Sequence, residues 1–238
     1  MVDRLTRKEI KHDEFVDGTV RALRVLEENP RPFLYGAAAI LGLVVVVSGF
    51  WTFSRVQADK VADRLSRGEA ALFATVADEG EARPGDPYQP SFESDEARLQ
   101  AAVERLGEAA SGMGAGSHVA LYLQGKALLE AGRTDEAIAK LEAAVSALSG
   151  DPTLGPASRA LLAAALERAG QYEKAIESWA ELADEGSGYP RDLALFALGR
   201  CQSKAGQSDE ARETLEEVGE LYPESPVLER ARQWLATL

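Results

Sequence analysis

Few residues in this 238-residue chain have the types and spacing that chemistry needs. Cys201 is the only cysteine, so no intramolecular disulfide can form, and with only His12 and His118 beside it a Cys/His zinc site cannot be assembled. The two histidines stand on opposite sides of a long apolar run, so neither can orient the other. Cys201 falls within a helical pattern and reads as a small buried hydrophobe rather than a nucleophile. Gly112-Met113-Gly114-Ala115-Gly116 precedes a helix, but no strand leads into it and no Lys-Ser/Thr pair follows, so it reads as a linker and not a phosphate cradle. Acidic pairs such as Glu216-Glu217 read as solvated helix faces. A formal net charge of −13 argues against a general nucleic-acid binder, since that work needs a basic face to displace counterions from phosphates. The residues thus predict no catalytic, metal or cofactor site, no nucleic-acid partner and no small-molecule substrate.

The elements around these residues are more telling. Phe33 to Phe53 contains no charged residue, and as a helix it would be about 31 Å long, the thickness of a hydrocarbon core. Phe33 and Tyr35 at one end and Phe50, Trp51 and Phe53 at the other put aromatic rings at both expected interfaces. The run begins after a polar stretch and ends in bulky residues, unlike a cleavable signal peptide. Within it, Ala38, Gly42 and Gly49 share one side, a face against which a second helix could pack closely. Arg and Lys near the two ends are nearly balanced, but the whole preceding tail adds Arg4, Arg7, Lys8 and Lys11. The expected orientation is therefore tail in the cytoplasm and the large domain outside.

Composition divides the chain into an amphipathic tail (1–32), the apolar span (33–53), a juxtamembrane stalk helix (54–78), a Pro/Gly-rich loop (79–92) and a helical domain (93–238). In the tail Thr6-Arg7-Lys8-Glu9 has capping-box form, and Val16, Val20, Leu23 and Leu26 share a face. The stalk carries a stripe of Val61, Leu65, Leu72 and Val76. No segment alternates apolar and polar residues as strands do, so the extramembrane part is expected to be all helical.

Self-comparison of that part aligns three segments ending at Ala137, Ala175 and Ala211, spaced 38 and 36 residues apart. Each reads as a helix, an Ala-Gly turn with Gly132, Gly170 or Gly206 in the left-handed conformation, and a second helix capped near Thr134, Gln171 or Ser208. Residues 95–111 add a degenerate earlier helix expected to pair with the stalk, and Ser225-Pro226 opens a capping helix.

This pattern resembles the tetratricopeptide repeat, with small positions at Gly125, Ala163 and Gly199 and bulky ones at Leu141, Trp179 and Leu215. The resemblance implies an all-α chain: one transmembrane helix, then an α-solenoid of about three to four helical hairpins plus a capping helix. By register with the family, the partner groove would be lined by Val119, Tyr122, Lys126 and Leu129, then Ala157, Ala160, Ala164 and Glu167, then Leu193, Phe196 and Arg200. Tyr122, Ala160 and Phe196 stand where carboxylate-clamping members place polar residues, so a carboxylate clamp is not expected. Tyr122 and Phe196 are open to two readings, partner contact or packing against the next repeat.

The order of parts, a short tail bearing Lys8-Glu9-Ile10-Lys11-His12-Asp13-Glu14-Phe15, one span and repeats to the C-terminus, looks like the bacterial family of ancillary SecYEG translocon subunits. That resemblance implies a single-pass protein of the inner membrane with its repeats in the periplasm. Its partners would be the lipid bilayer together with the translocon, exported polypeptides or a chaperone. A structural scaffold of a cell-envelope or division complex is the alternative.

Overall fold

The computed structural model describes residues 30–78 and 80–238, so the expected amphipathic helix of the tail and His12 lie outside the described residues. The chain divides into two compact units at the Val56/Gln57 boundary. A continuous helix, α1 (Pro30–Leu72), runs through that boundary.

In the first unit, every side chain described from Leu34 to Val56 is exposed. Leu34, Ile40, Leu41, Val46, Phe50 and Trp51 each show more than 60 % of their surface. The Thr52 hydroxyl donates to the Ser48 carbonyl at 2.9 Å, which satisfies a polar group within the helix itself. Nothing approaches within 4 Å of a Cβ placed on Gly42 or Gly49.

The second unit, Gln57–Leu238, holds the last turns of α1, two short strands β1 (Thr75–Val76) and β2 (Ser91–Phe92), and eight further helices among the described residues. These are α2 (Asp95–Ala110), α3 (Ala115–Glu130), α4 (Thr134–Ala147), α5 (Leu154–Arg168), α6 (Tyr172–Ala183), α7 (Arg191–Lys204), α8 (Ser208–Leu221) and α9 (Leu228–Leu235). Consecutive helices pack as antiparallel hairpins, and the chain is an all-α solenoid with a two-residue strand pair as its only sheet among the described residues.

Each hairpin closes on a small residue of its inner helix. A Cβ on Gly125 would lie 2.6 Å from Leu141 Cγ, and one on Gly199 would lie 2.7 Å from Leu215 Cγ. The last turns of α1 and α2 repeat this contact, since a Cβ on Gly68 would lie 2.6 Å from Leu106 Cδ2. Four residues before Leu106, Leu141, Leu215 and, in the middle hairpin, Trp179 stands an alanine with no exposed surface, Ala102, Ala137, Ala211 and Ala175 respectively. The stalk and α2 therefore form a first hairpin built like the other three. Two buried clusters fill the unit: one centred on Ala71, Leu72, Phe92, Leu99 and Leu106, the other running from Leu128 to Ala231.

The turns follow from glycine. Gly132, Gly170 and Gly206 have φ of 78°, 75° and 82°, which a side chain bearing a Cβ resists. This lets Arg133 N–H reach the Leu128 carbonyl at 2.9 Å and Gln171 N–H the Leu166 carbonyl at 2.9 Å, satisfying carbonyls at the helix ends. The expected side-chain caps at Thr134, Gln171 and Ser208 are not made; the capping positions before the second helices are Arg133, Gln171 and Gln207, and none makes a side-chain bond to the helix end.

Three expectations change in this unit. The stalk helix stops at Leu72, because the β-branched pair Thr75-Val76 leaves the helix and pairs in parallel with Ser91-Phe92. Val76 therefore leaves the apolar stripe and is exposed. The all-helical expectation correspondingly misses this strand pair. The capping helix is shorter than the segment opened by Ser225-Pro226, because Ser225 is engaged in the turn before it, its hydroxyl donating to Asp192 at 2.6 Å and accepting from Val227 N–H at 3.2 Å.

The first hairpin also departs from the others in its connection: residues 73–94 replace the short Ala-Gly turn. That segment is tied down by Arg83 N–H to Ser91 Oγ at 2.9 Å, by Tyr88 and Gln89 N–H groups on Asp86 Oδ1 at 2.9 Å each, by Tyr88 Oη to Asp63 at 3.0 Å and by Arg105 to the Pro84 carbonyl at 2.9 Å.

Two substitutions separate the constraints. A Cβ at Gly206 meets no atom within 4 Å, so Gly206→Ala should lose only backbone energy, about 1 kcal/mol, and lower Tm by a few degrees. Ala175→Trp should abolish cooperative thermal unfolding by overpacking the second-helix contact; circular dichroism melts that leave Ala175→Trp as stable as the parent would contradict the packing scheme.

Candidate functional site

The residues with chemical potential are engaged structurally. Cys201 has no exposed surface, its Sγ lies 3.8 Å from the Tyr172 carbonyl, and burial, with the Glu167 charge, pushes the thiol up to about 11. It is protonated at neutral pH and sealed from solvent. Gly112 lies against Val61, and Gly114 has φ 96°, so the glycine run lets the turn into α3 pass close to α1. His118 is half-buried in the first turn of α3. Among the described residues no three of His, Cys, Asp and Glu are grouped to hold a metal ion. Glu216 is exposed, while Glu217 pairs with Arg191 at 2.8 Å.

The groove positions fall on α3, α5 and α7, the first helices of three successive hairpins, and divide by accessibility. Val119, Tyr122, Lys126 and Leu129 on α3 are all half-buried, leaving part of each side chain open. On α5, Ala157 and Ala164 are half-buried, Ala160 is buried and Glu167 is only 8 % exposed. On α7, Leu193 and Arg200 are half-buried, but Phe196 is 3 % exposed. Of the two readings open for Phe196, the structure selects packing: Arg230 of α9 lies 4.6 Å and Arg200 5.6 Å from its ring centre. Phe196 and Ala160 offer a partner almost no surface here.

Glu167 and Arg200 are directed at each other. Arg200 makes a two-pronged bond to the Glu167 carboxylate, Nε to Oε1 at 3.0 Å and Nη2 to Oε2 at 2.6 Å, and Lys204 Nζ reaches Oε1 at 2.9 Å. Burial pushes the Glu167 carboxyl up, but the hydrogen bonds and charges of Arg200 and Lys204 outweigh it and hold the group below the ordinary carboxylate value. A comparable reach occurs one hairpin earlier, where Arg168 Nη1 donates to the Leu129 carbonyl at 2.9 Å, placing a cation at the C-terminal end of α3.

One participant was not foreseen from the sequence. Phe73, just past the end of α1, is 66 % exposed, and its ring centre lies 5.0 Å from Lys126 Nζ. It stands outside the apolar stripe of Val61, Leu65, Leu72 and Val76 that periodicity assigned to the stalk, so the pattern gave it no role. An open hollow of about 940 Å³ lies beside it, edged by Ala70, Ala77, Ala82 and Tyr88.

Comparison with known proteins supports the repeat reading. A sequence profile of the tetratricopeptide repeat matches residues 119–147 and 193–225, which are the hairpins α3–α4 and α7–α8. Those two hairpins are thus similar in sequence to tetratricopeptide repeats. The hairpin between them carries Ala163 and Trp179 where its neighbours have glycine and leucine. Among solved structures, a Podosopora anserina protein described as a kinesin light chain with nearly identical TPR-like repeats aligns at 22 % identity and TM-score 0.50, over 59 % of this chain and 77 % of that one. YrrB, a TPR protein with an unusual peptide-binding site, aligns at 18 % identity and TM-score 0.48, over 58 % and 68 %. At 22 % identity the likeness to the Podosopora anserina protein concerns the fold alone. No curated protein matches the chain. No catalytic family emerges from these comparisons.

The Glu167 cluster gives a pH test. Because its folded pKa is depressed, its stabilisation is present above the ordinary carboxylate value and is lost as pH falls through the lower folded value. Glu167→Gln should therefore destabilise by about 1–2 kcal/mol at pH 7, less than a fully buried pair because Lys204 still meets solvent. In denaturant titrations the gap to the parent should close below about pH 4; a gap that stays constant as the solution is acidified further would exclude the charge-based account.

Proposed function

We propose that this chain is a membrane-anchored adaptor that holds protein partners on the first helices of its repeats and has no chemistry of its own. The observation that carries the anchoring is the exposed apolar surface of α1. Helix α1 is long and apolar enough to cross a membrane, and its apolar stretch has no buried residue. A helix that exposes Leu34, Ile40, Leu41, Leu43 and Val44 along its length has no stable place in water, whereas a hydrocarbon core suits it. Residues 33–53 would form the span, with Ala38, Gly42 and Gly49 as the side open to a neighbouring helix.

The finer reading follows from the plan of the chain. A cytoplasmic tail, one span and a periplasmic repeat domain suit an accessory of the Sec translocon in a bacterial inner membrane, one that receives exported polypeptides or a periplasmic chaperone. What supports it is the combination of the apolar helix, the repeats and the half-open positions Val119, Tyr122, Lys126 and Leu129. The acidic second helices favour solution over an anionic lipid surface: α8 carries Asp209, Glu210, Glu213, Glu216, Glu217 and Glu220 against one Arg212.

A photo-crosslinking residue at Tyr122 or Lys126, in intact membranes, should capture translocon subunits, chaperone or nascent exported chains. A reporter fused after Leu238 should be active only outside the cytoplasm. Cytoplasmic reporter activity would overturn the export reading, and capture of one stoichiometric envelope or division protein would replace it with a scaffold.

A further inference from the structure

In the second unit, the large hydrophobic side chains exposed to solvent among the described residues are Phe73, Val76, Tyr88, Met113 and Leu221. The first three belong to the single segment that joins α1 to α2. That segment is far longer than the Ala-Gly turns that close the other hairpins. It is not loose: the Asp86 turn, the Arg83–Ser91 bond and the Tyr88–Asp63 bond fix its path. A fixed segment that leaves apolar side chains in water marks a surface made for contact.

The strand pair identifies the kind of contact. β1 and β2 are parallel, Thr75 opposite Ser91 and Val76 opposite Phe92, and the Ala77 N–H donates to the Phe92 carbonyl at 2.8 Å. In a parallel ladder the backbone groups of alternate residues point to opposite edges, so those of Val76 point away from β2. On the side away from β2, β1 has no strand paired with it among the described residues, and both its residues are exposed. Phe73 stands two residues before it and lies against Lys126, one of the half-open positions of α3.

We propose that β1 is a docking edge at which an extended segment of another polypeptide adds as a third strand, its apolar side chains contacting Phe73 and Val76. The occupant is an extended chain because outward backbone N–H and C=O groups are complemented by the backbone of another strand, and Phe73 and Val76 supply apolar contact beside them. Because the segment is already fixed, little ordering is needed on the side of this protein. The inference rests on the adaptor reading and names where and in what conformation a client is held.

The test uses the full chain in detergent and a fluorescent nonapeptide of alternating valine and serine, with a second peptide N-methylated at every other residue on the pairing edge. The parent chain should bind the first peptide and bind the second at least about tenfold more weakly, the loss expected when strand hydrogen bonds cannot form. Phe73→Ser, at an exposed position, and Val76→Pro, which removes an outward N–H, should each weaken the first peptide several-fold with unchanged circular dichroism. Equal affinity for the two peptides, or no binding of either, overturns the proposal. Binding that survives Phe73→Ser and Val76→Pro but is lost in Tyr122→Ser with Lys126→Glu overturns it too, while leaving the adaptor reading standing on α3.

Discussion

The architecture depends on how closely two helices of a hairpin can approach. Where Leu106, Leu141 and Leu215 meet Gly68, Gly125 and Gly199, no room remains for a side chain on the inner helix. The contact fixes helix separation, and the alanine four residues earlier on the second helix fills the next layer without surface to spare. Repeating that contact gives a stack in which each hairpin touches its neighbours, so the unit extends by addition rather than by folding around one centre. The middle hairpin meets the same constraint differently, with Ala163 and Trp179, and its larger pair coincides with the stretch the repeat profile passes over.

The electrostatics follow the same division. Cations on or beside first helices are directed inward along the stack: Arg168 to the end of α3, and Arg200 and Lys204 to Glu167. Arg191 bridges from the start of α7 to the Ala183 carbonyl at 2.8 Å and to Glu217 on α8. Except for Arg191 to Glu217, which lies within one hairpin, these links join successive hairpins where apolar contact alone would permit sliding. They also mean that Glu167 and Arg200, although in register with groove positions, are already engaged. The accessible chemistry shifts to α3 and to the segment leading away from α1.

Much of the fold was legible because glycine and alanine report backbone facts locally. A left-handed turn at Gly132, Gly170 and Gly206 and a tight contact at Gly125 or Gly199 need only a residue and its register. The pairing of residues 95–111 with the stalk was expected from helical periodicity instead, and Gly68 and Ala102 as its contact points were not legible, since the long connection hides their register. The candidate face was less legible. Burial of Phe196 depends on Arg230 from a helix far along the chain, and engagement of Glu167 depends on Arg200 and Lys204 in the next hairpin. Periodicity places a side chain on a face but does not say what else arrives there. The strand pair was missed because two residues are too few to show alternation.

The sealed position of Cys201 has a practical consequence. Its thiol is both protonated and without surface, so alkylating reagents will pass over it in the native fold and reach it only when α7 separates from α6. A cysteine introduced anywhere on the exterior becomes the sole labelling point without removing the native one, and the rate at which Cys201 itself becomes modified records the parting of the last two hairpins.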